Sequence, residues 1–320
     1  MRKKVVAGID IGGINTRIGL VDQAGKVLTD SNIATNQYPT SEEFVSALHN
    51  SIELLLKNPD MPLPELIGIG IGAPCANYHT GSIENAANLP WQHVPLASML
   101  NVYFSGISVK VTNDANAVAI AEMIYGDAKE LKDFVVITLG TGLGSGIVSN
   151  GELVYGHDGF AGEVGHITAI PDGRQCNCGR KGCLETYVSA RGIKRTVFEL
   201  LASSTKNSSL RSSSFNELTS KDIHTAALDN DPIAVEAFKI TGEILGRSLA
   251  DVVAFTSPAV IFIFGGLAEA KDMILKPAKE NMEKYLVACY KDKVQIKPSA
   301  LGNKDAGIAG GAALIWKDFV

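Results

Sequence analysis

Long apolar runs are missing from this chain. Stretches such as Leu66–Ala76 and Ala259–Phe264 fall well short of the roughly 18 residues a membrane helix needs. Basic clusters are missing too. Nothing exceeds Arg2-Lys3-Lys4, and the net charge is −5, which argues against a nucleic-acid surface as the chain's main business. Cysteine is scarce, at five residues in 320. Cys176, Cys178 and Cys183 lie close together, which fits a metal cluster in a reducing compartment better than a disulfide framework, and Cys75 and Cys289 read as ordinary thiols. The basic start imitates a secretory signal, but the apolar run Val5–Ile9 stops at Asp10, short of any h-region. These absences lead us to expect a soluble, cytoplasmic protein that handles small molecules.

Glycine and apolar residues are plentiful: 32 glycines and 46% hydrophobic content in a chain long enough for two domains with their own cores. The stretch from Lys4 to Ile9 reads as a strand, Asp10 to Arg17 as a glycine turn, and Ile18 to Val21 as a returning strand. The pattern recurs at Phe134 to Leu139, Gly140 to Gly144 and Ser145 to Val148, so IDIGGINTRIGLVDQAGKVL and ITLGTGLGSGIVSNGELV read as two copies of one unit. Between them, Thr40 and Glu43 suggest a capping box for a helix over about 41–57, and strands are expected at 66–71 and 107–111. Asn113-Asp114 then falls at a strand-to-helix corner, where open α/β sheets hold their ligands. Later helices are expected near 184–201, 232–255, 272–288 and 307–317, with strands at 259–264 and 294–297.

A tight turn free of side-chain bulk presents backbone N–H groups to phosphate oxygens. Gly12, Gly13 and Thr16 supply one such turn, and Gly140, Thr141, Gly142 and Gly144 the other. Neither is a Walker A loop, since no Gly-Lys-Ser/Thr follows. Neither is a Rossmann fingerprint, because a strand and not a helix comes next. Asp10 stands at the lip of the first turn, as a ligand for Mg²⁺ or as a turn stabiliser.

His166, Cys176, Cys178 and Cys183 have the donor types and close spacing of one tetrahedral zinc site, structural in kind because four protein ligands leave no open position. Glu163 and Glu185 bracket it. Arg174, Arg180 and Lys181 would allow a zinc-ribbon contact with nucleic acid, a weaker reading. The ENAANLPW segment, with Asn88 and Trp91, is ambiguous on its own.

Together DIGGINT (10–16), GIGAP (70–74), ENAANLPW (84–91), NDANA (113–117), LGTGLGSGIV (139–148), GEVGH (162–166), CNCGRKGCLE (176–185) and FGG (264–266) resemble the ROK family of repressors, open reading frames and sugar kinases, and within it the bacterial glucokinases. The resemblance covers essentially the whole chain. It implies an actin-like (ribonuclease H-like) duplicated α/β ATPase fold with two domains around a central cleft: residues 1–112 with about 305–320, and residues 113–304 carrying the zinc loop. It implies ATP with Mg²⁺, one structural Zn²⁺, a hexose substrate and a homodimer; the mild charge and the lack of long apolar runs argue for no nucleic-acid and no membrane partner.

By position, Asp114 would be the catalytic base toward the 6-hydroxyl, and Asn88, Asn113, Glu163, His166 and Glu185 would bind the sugar, His166 also holding zinc. Asp10, Gly12, Gly13, Thr16, Gly140, Thr141, Gly142, Gly265 and Gly266 would serve the nucleotide and its cation. Ile14 departs from a common threonine and Cys75 from a common glycine. Glucose is the expected hexose, with fructose, N-acetylmannosamine, N-acetylglucosamine or allose as alternatives. A sugar-responsive repressor is disfavoured because only nine residues precede Asp10, too few for a helix-turn-helix.

Overall fold

The computed structural model describes residues 2–59, 64–302 and 305–319. In chain order the elements are β1 (Lys3–Ile11), β2 (Asn15–Val21), β3 (Val27–Ala34), α1 (Ser41–Leu56), β4 (Pro64–Ala73), β5 (Ala76–Asn77), β6 (Ser82–Glu84), β7 (His93–Val94), α2 (Leu96–Tyr103), β8 (Ser108–Asn113) and α3 (Asp114–Tyr125). There follow β9 (Phe134–Leu139), β10 (Leu143–Ser149), β11 (Glu152–Leu153), α4 (Ala190–Ser203), α5 (Ser220–Leu228), α6 (Pro232–Thr256), β12 (Val260–Phe264), α7 (Asp272–Tyr285), β13 (Gln295–Pro298) and α8 (Ala306–Trp316).

Two compact units result: Met1–Lys132 with Glu152–Gly162 and Ala300–Val320, and Asp133–Gly151 with Glu163–Ser299. The boundary expected after residue 112 falls inside the first unit. Helix α3 continues directly from β8 and packs against α8, so the chain cannot be divided there. The other expected boundary, at 304, lies outside the described residues.

In the first unit the strand order is β3-β2-β1-β4-β8, with β1 antiparallel to β2 and parallel to β4, and β4 parallel to β8. In the second, β10-β9-β12-β13 repeats the order and senses of β2-β1-β4-β8. The duplication read from the glycine turns is thus a duplication of sheets.

The period-2 alternation of β1 determines what faces what. Val5, Ala7, Ile9 and Ile11 join Phe44, Leu48 and Ile52 of α1 in one core, while Val6 packs with Ile308, Ala312 and Ile315 of α8 on the other face. Asp10 belongs to the α8 face by the same alternation. Thr40 caps α1 by accepting from the Glu43 amide at 3.3 Å. The full reciprocal box forms elsewhere, between Thr219 and Asp222 at the start of α5. The second unit's core gathers Val135, Ile137 and Leu139 of β9 with residues of α4, α5, α6 and α7. No helix among the described residues is long and apolar enough to cross a membrane.

Helix α8 reaches Asp10 at its first turn. A Cβ added to Gly307 would stand 2.2 Å from Asp10 Oδ2, so a glycine is needed where helix and carboxylate meet. We therefore expect Gly307→Ala to destabilise the protein by about 1–3 kcal/mol through overpacking. In an Asp10→Ala background the same change should cost less without becoming neutral, because the carboxyl group is gone while the Cβ of residue 10 still stands 2.8 Å from the added one. Chemical denaturation of the four proteins in the cycle measures both; equal costs in the two backgrounds would disprove the contact.

Candidate active site

Three parallel strands, β1, β4 and β8, end on one edge of the first sheet. Their register aligns Asp10 with Gly72 and Gly72 with Thr112, so no side chain stands on the row between Asp10 and the corner after β8. At that corner Asn113 caps α3, its Oδ1 accepting from the Ala115 amide at 2.9 Å, and Asp114 opens the helix. Asp114 Oδ1 accepts from the same amide at 2.8 Å. The Asp114 side chain is open to solvent, yet it is recessed. Desolvation by the surrounding protein pushes its pKa up, and the hydrogen bond from the Ala115 amide opposes the rise.

Asp10 responds in the same way. Desolvation first, then the negative charge of Asp114, raise it from 3.8 to about 6, and Arg17 pulls the other way. Arg17 Nη2 also donates to Asp305, the residue before α8, at 3.1 Å, so one cation ties β2 to the helix that abuts Asp10. A partly desolvated carboxylate with a second one nearby is a poor resting place for two negative charges and a suitable one for a hard divalent cation.

The first glycine turn closes through Gly12 N to Asn15 O at 2.9 Å. Gly13 lies against the loop bearing Asn88, whose carbonyl would meet an added Cβ at 2.5 Å, so turn and loop adjoin. Thr16 does not join them. It is fully buried and its hydroxyl pairs with Thr35 at 2.8 Å, fastening β2 internally instead of facing a phosphate. The fault in the expectation is one of phase, since Thr16 already lies in the returning strand and points inward. Trp91 is a core residue, its ring tilted against Phe44 with centroids 4.5 Å apart and its indole N–H given to Tyr38 O.

The second turn belongs to the other unit. Gly140 N donates to Gly142 O at 3.0 Å, Gly140 and Thr141 are exposed, and Gly265, with φ of 104°, packs against Leu139 O at the same strand end. Glu185 lies beneath this turn. Its Oε2 accepts from Leu143 N at 3.0 Å and would meet a Cβ on Gly142 at 2.3 Å. Nothing in sequence spacing pointed to that contact.

The ligand atoms of His166, Cys176, Cys178 and Cys183 all lie within 4.8 Å of one another. Cys176 Sγ is 3.8 Å from His166 Nδ1, and Cys178 Sγ is 3.6 Å from Cys183 Sγ. A zinc ion bound tetrahedrally at ordinary Zn–S and Zn–N distances sets its ligands roughly 3.5–3.8 Å apart, so the donor set fits zinc. His166 turns Nδ1 to the cysteines and Nε2 toward Glu163 Oε2, 3.9 Å away. Arg180 donates to His166 O and Thr168 Oγ1, each at 3.0 Å. Arg174, its side chain 8% exposed, donates to Thr186 O, Gly192 O and Thr196 Oγ1 and sits over the Tyr187 ring. These two arginines, which at the sequence level allowed a nucleic-acid contact, are occupied in holding the loop.

The ROK family model matches residues 6–318. The chain belongs to the ROK family. Among relatives of this ROK protein, a glucokinase from Halalkalibacterium halodurans is 36% identical over 98% of this chain and 96% of its own length. A xylose repressor from Caldicellulosiruptor bescii is 28% identical, covering 98% of this chain and 79% of the repressor. Among solved structures, a ROK family glucokinase from Streptomyces griseus, in complex with glucose and AMPPNP, superposes with a TM-score of 0.81 at 32% identity, covering 97% of this chain and 98% of that one. The ROK protein thus has the actin-like ATPase fold.

Two outcomes are expected. Because the folded pKa of Asp10 is raised, the folded protein keeps a proton that the unfolded chain releases near pH 3.8. Stability should therefore fall as pH rises from 3.8 to about 6 and level off above, by roughly 2–3 kcal/mol for this group. Denaturation across that range in metal-free buffer should show the fall in the wild type and a smaller one in Asp10→Asn. Metal analysis should find one zinc per chain, with Cys178→Ser reducing both zinc content and glucose affinity. A variant that keeps its full zinc would remove Cys178 from the ligand set.

Proposed function

We propose that this chain is an ATP-dependent hexose kinase that transfers the γ-phosphoryl group of ATP to the 6-hydroxyl of glucose. The observation that carries the reading is the near full-length likeness to a glucokinase seen with glucose and AMPPNP, in a chain that holds the recessed Asp114 carboxylate on the same sheet edge as Asp10 and the first glycine turn.

Phosphoryl transfer through a loose transition state needs in-line positioning and charge neutralisation more than a strong base. Asp114 orients the 6-hydroxyl and accepts its proton late in the step. Its raised pKa suits that duty, because a carboxylate less stable as an anion is a better proton acceptor. Asn88, Asn113, Glu163, His166 and Glu185 hold the remaining hydroxyls, His166 through Nε2. The turns at Gly12–Gly13 and Gly140–Gly142, with Gly265 and Gly266, receive the nucleotide through the amides of Gly13, Thr141 and Gly142, while Gly12 N and Gly140 N close the turns onto Asn15 O and Gly142 O. Asp10 would hold Mg²⁺, directly or through water, and the ion would supply neutralisation of the phosphate charge. The Cys176, Cys178, Cys183 and His166 set would hold a structural zinc that orients the His166 ring. A cytoplasmic location, a place in glycolysis and a homodimeric state complete the proposal.

Asp114→Asn should lower kcat by a factor on the order of 10³ or more, since base and orienting charge are lost together, while glucose affinity changes far less. Coupled ADP detection with glucose, fructose, N-acetylmannosamine, N-acetylglucosamine and allose tests the substrate. Near-normal turnover by a folded Asp114→Asn enzyme would overturn the mechanism, and a higher kcat/KM for another hexose would overturn the choice of glucose.

A further inference from the structure

The segment 183–190 is bound to both ends of the second glycine turn. At one end Leu143 N donates to Glu185 Oε2 at 3.0 Å; at the other Ala190 N donates to Gly140 O at 2.9 Å. Between them Gly142 lies so close that an added Cβ would stand 2.3 Å from Glu185 Oε2. The segment is itself held firmly. Ser189 Oγ donates to Glu185 O at 2.8 Å and accepts from Gly192 N, Arg174 Nη1 donates to Thr186 O at 2.7 Å, and Cys183 stands two residues before Glu185 in the cysteine cluster. The carboxylate is half-buried, and only one of its oxygens is engaged by the Leu143 amide.

We propose that Glu185 is a positioning residue that couples hexose recognition to the triphosphate turn: one oxygen fixes the Leu143 amide, the other is left for a sugar hydroxyl. The inference rests on the kinase reading for its two ligands. A sugar hydroxyl that donates to the second oxygen holds the carboxylate in the rotamer that accepts from Leu143. The turn is thereby kept in the shape in which Thr141 and Gly142 present their amides to phosphate. Without sugar, the carboxylate is free to change rotamer and the turn loosens. Hexose and nucleotide should consequently bind with positive cooperativity that runs through a single side chain, and the coupling must be reciprocal. A structural role alone would weaken both ligands and leave their mutual effect unchanged.

The test is a binding cycle by calorimetry on the full chain with its metal. The Kd for AMPPNP is measured without glucose and with saturating glucose, for wild type, Glu185→Gln and Glu185→Ala, glucose saturation being established separately for each protein. Wild type should show AMPPNP tightening by about 5-fold or more with glucose, within the usual span of coupling. Glu185→Ala should bring that ratio to about 1. Glu185→Gln keeps an oxygen for the Leu143 amide but puts an NH2 donor where the sugar hydroxyl would donate, so its ratio should fall between those of the wild type and Glu185→Ala. Hydrogen exchange provides a second measurement: glucose should slow exchange in the peptide containing Thr141–Gly144 of the wild type and not in Glu185→Ala. Coupling that survives in Glu185→Ala, or exchange in the turn that glucose still slows there, would overturn the proposal. So would a wild type whose AMPPNP affinity ignores glucose. A wild type that shows the coupling yet forms no sugar phosphate would refute the kinase reading and leave the coupling standing.

Discussion

Two carboxylates that repel one another, Asp10 and Asp114, are the constraint around which the first unit is built. Each prefers water, and each is set at a strand end where protein replaces part of that water. The fold tolerates this through several separate provisions. Asp114 lies at the N-terminus of α3, where free amides and the helix dipole favour an anion. The start of α8 comes up against Asp10, with Gly307 leaving space for its oxygen, and Arg17 adds a positive charge that also anchors Asp305. Gly72 keeps the row between the acids clear. None of these abolishes the repulsion. The residual strain is what a phosphate-bound divalent cation and a departing hydroxyl proton would relieve, so electrostatic discomfort in the free protein and chemistry in the loaded one have the same source.

The second unit uses the same strand-turn-strand frame for a different purpose. No aspartate stands where Asp10 does; the corresponding strand position is Thr138, whose hydroxyl accepts from Gly144 N at 3.2 Å. The turn is stabilised instead from below, by Glu185 and the start of α4, and through them by the cysteine loop. Duplication gave two equivalent turns, and divergence assigned one to an acidic neighbour and the other to a braced wall. In this arrangement a metal ion on the three thiols and His166 would matter less as chemistry than as a substitute for a hydrophobic core, since a loop with Cys178, Gly179 and Arg180 exposed has little apolar area with which to fix itself.

Much of this was readable in the residues. The two glycine turns, the sheet duplication they implied, the strand-to-helix corner at Asn113 and the donor set of the cysteine loop follow from local pattern: strands alternate, turns need glycine, thiolates cluster for a reason. Contacts made at long range were not readable. Glu185 is 42 positions from Leu143, and Gly307 is far from Asp10 in sequence, so no local spacing announces either. Gly307 left a trace in the glycine-rich run of α8, legible as close packing though not as packing against a carboxylate. Thr16 failed in the opposite direction: a hydroxyl within a phosphate motif was read as a ligand, when the alternation of β2 turns it into the core.

The contrast between Thr16 and Glu185 shows how motif residues divide. Both belong to recognisable segments and both carry oxygen donors or acceptors at the right place along the chain. Thr16 pairs with Thr35 and is thereby spent, since a fully buried hydroxyl with a satisfied partner has nothing further to offer a ligand. Glu185 pairs with Leu143 through one oxygen and, being a carboxylate, has further acceptor sites that a single amide cannot fill. A residue can therefore be structural and functional together when its bonding capacity exceeds what the fold consumes. By that measure Thr16 is consumed by the fold, whereas Glu185 keeps an acceptor that the proposed kinase would use for its sugar.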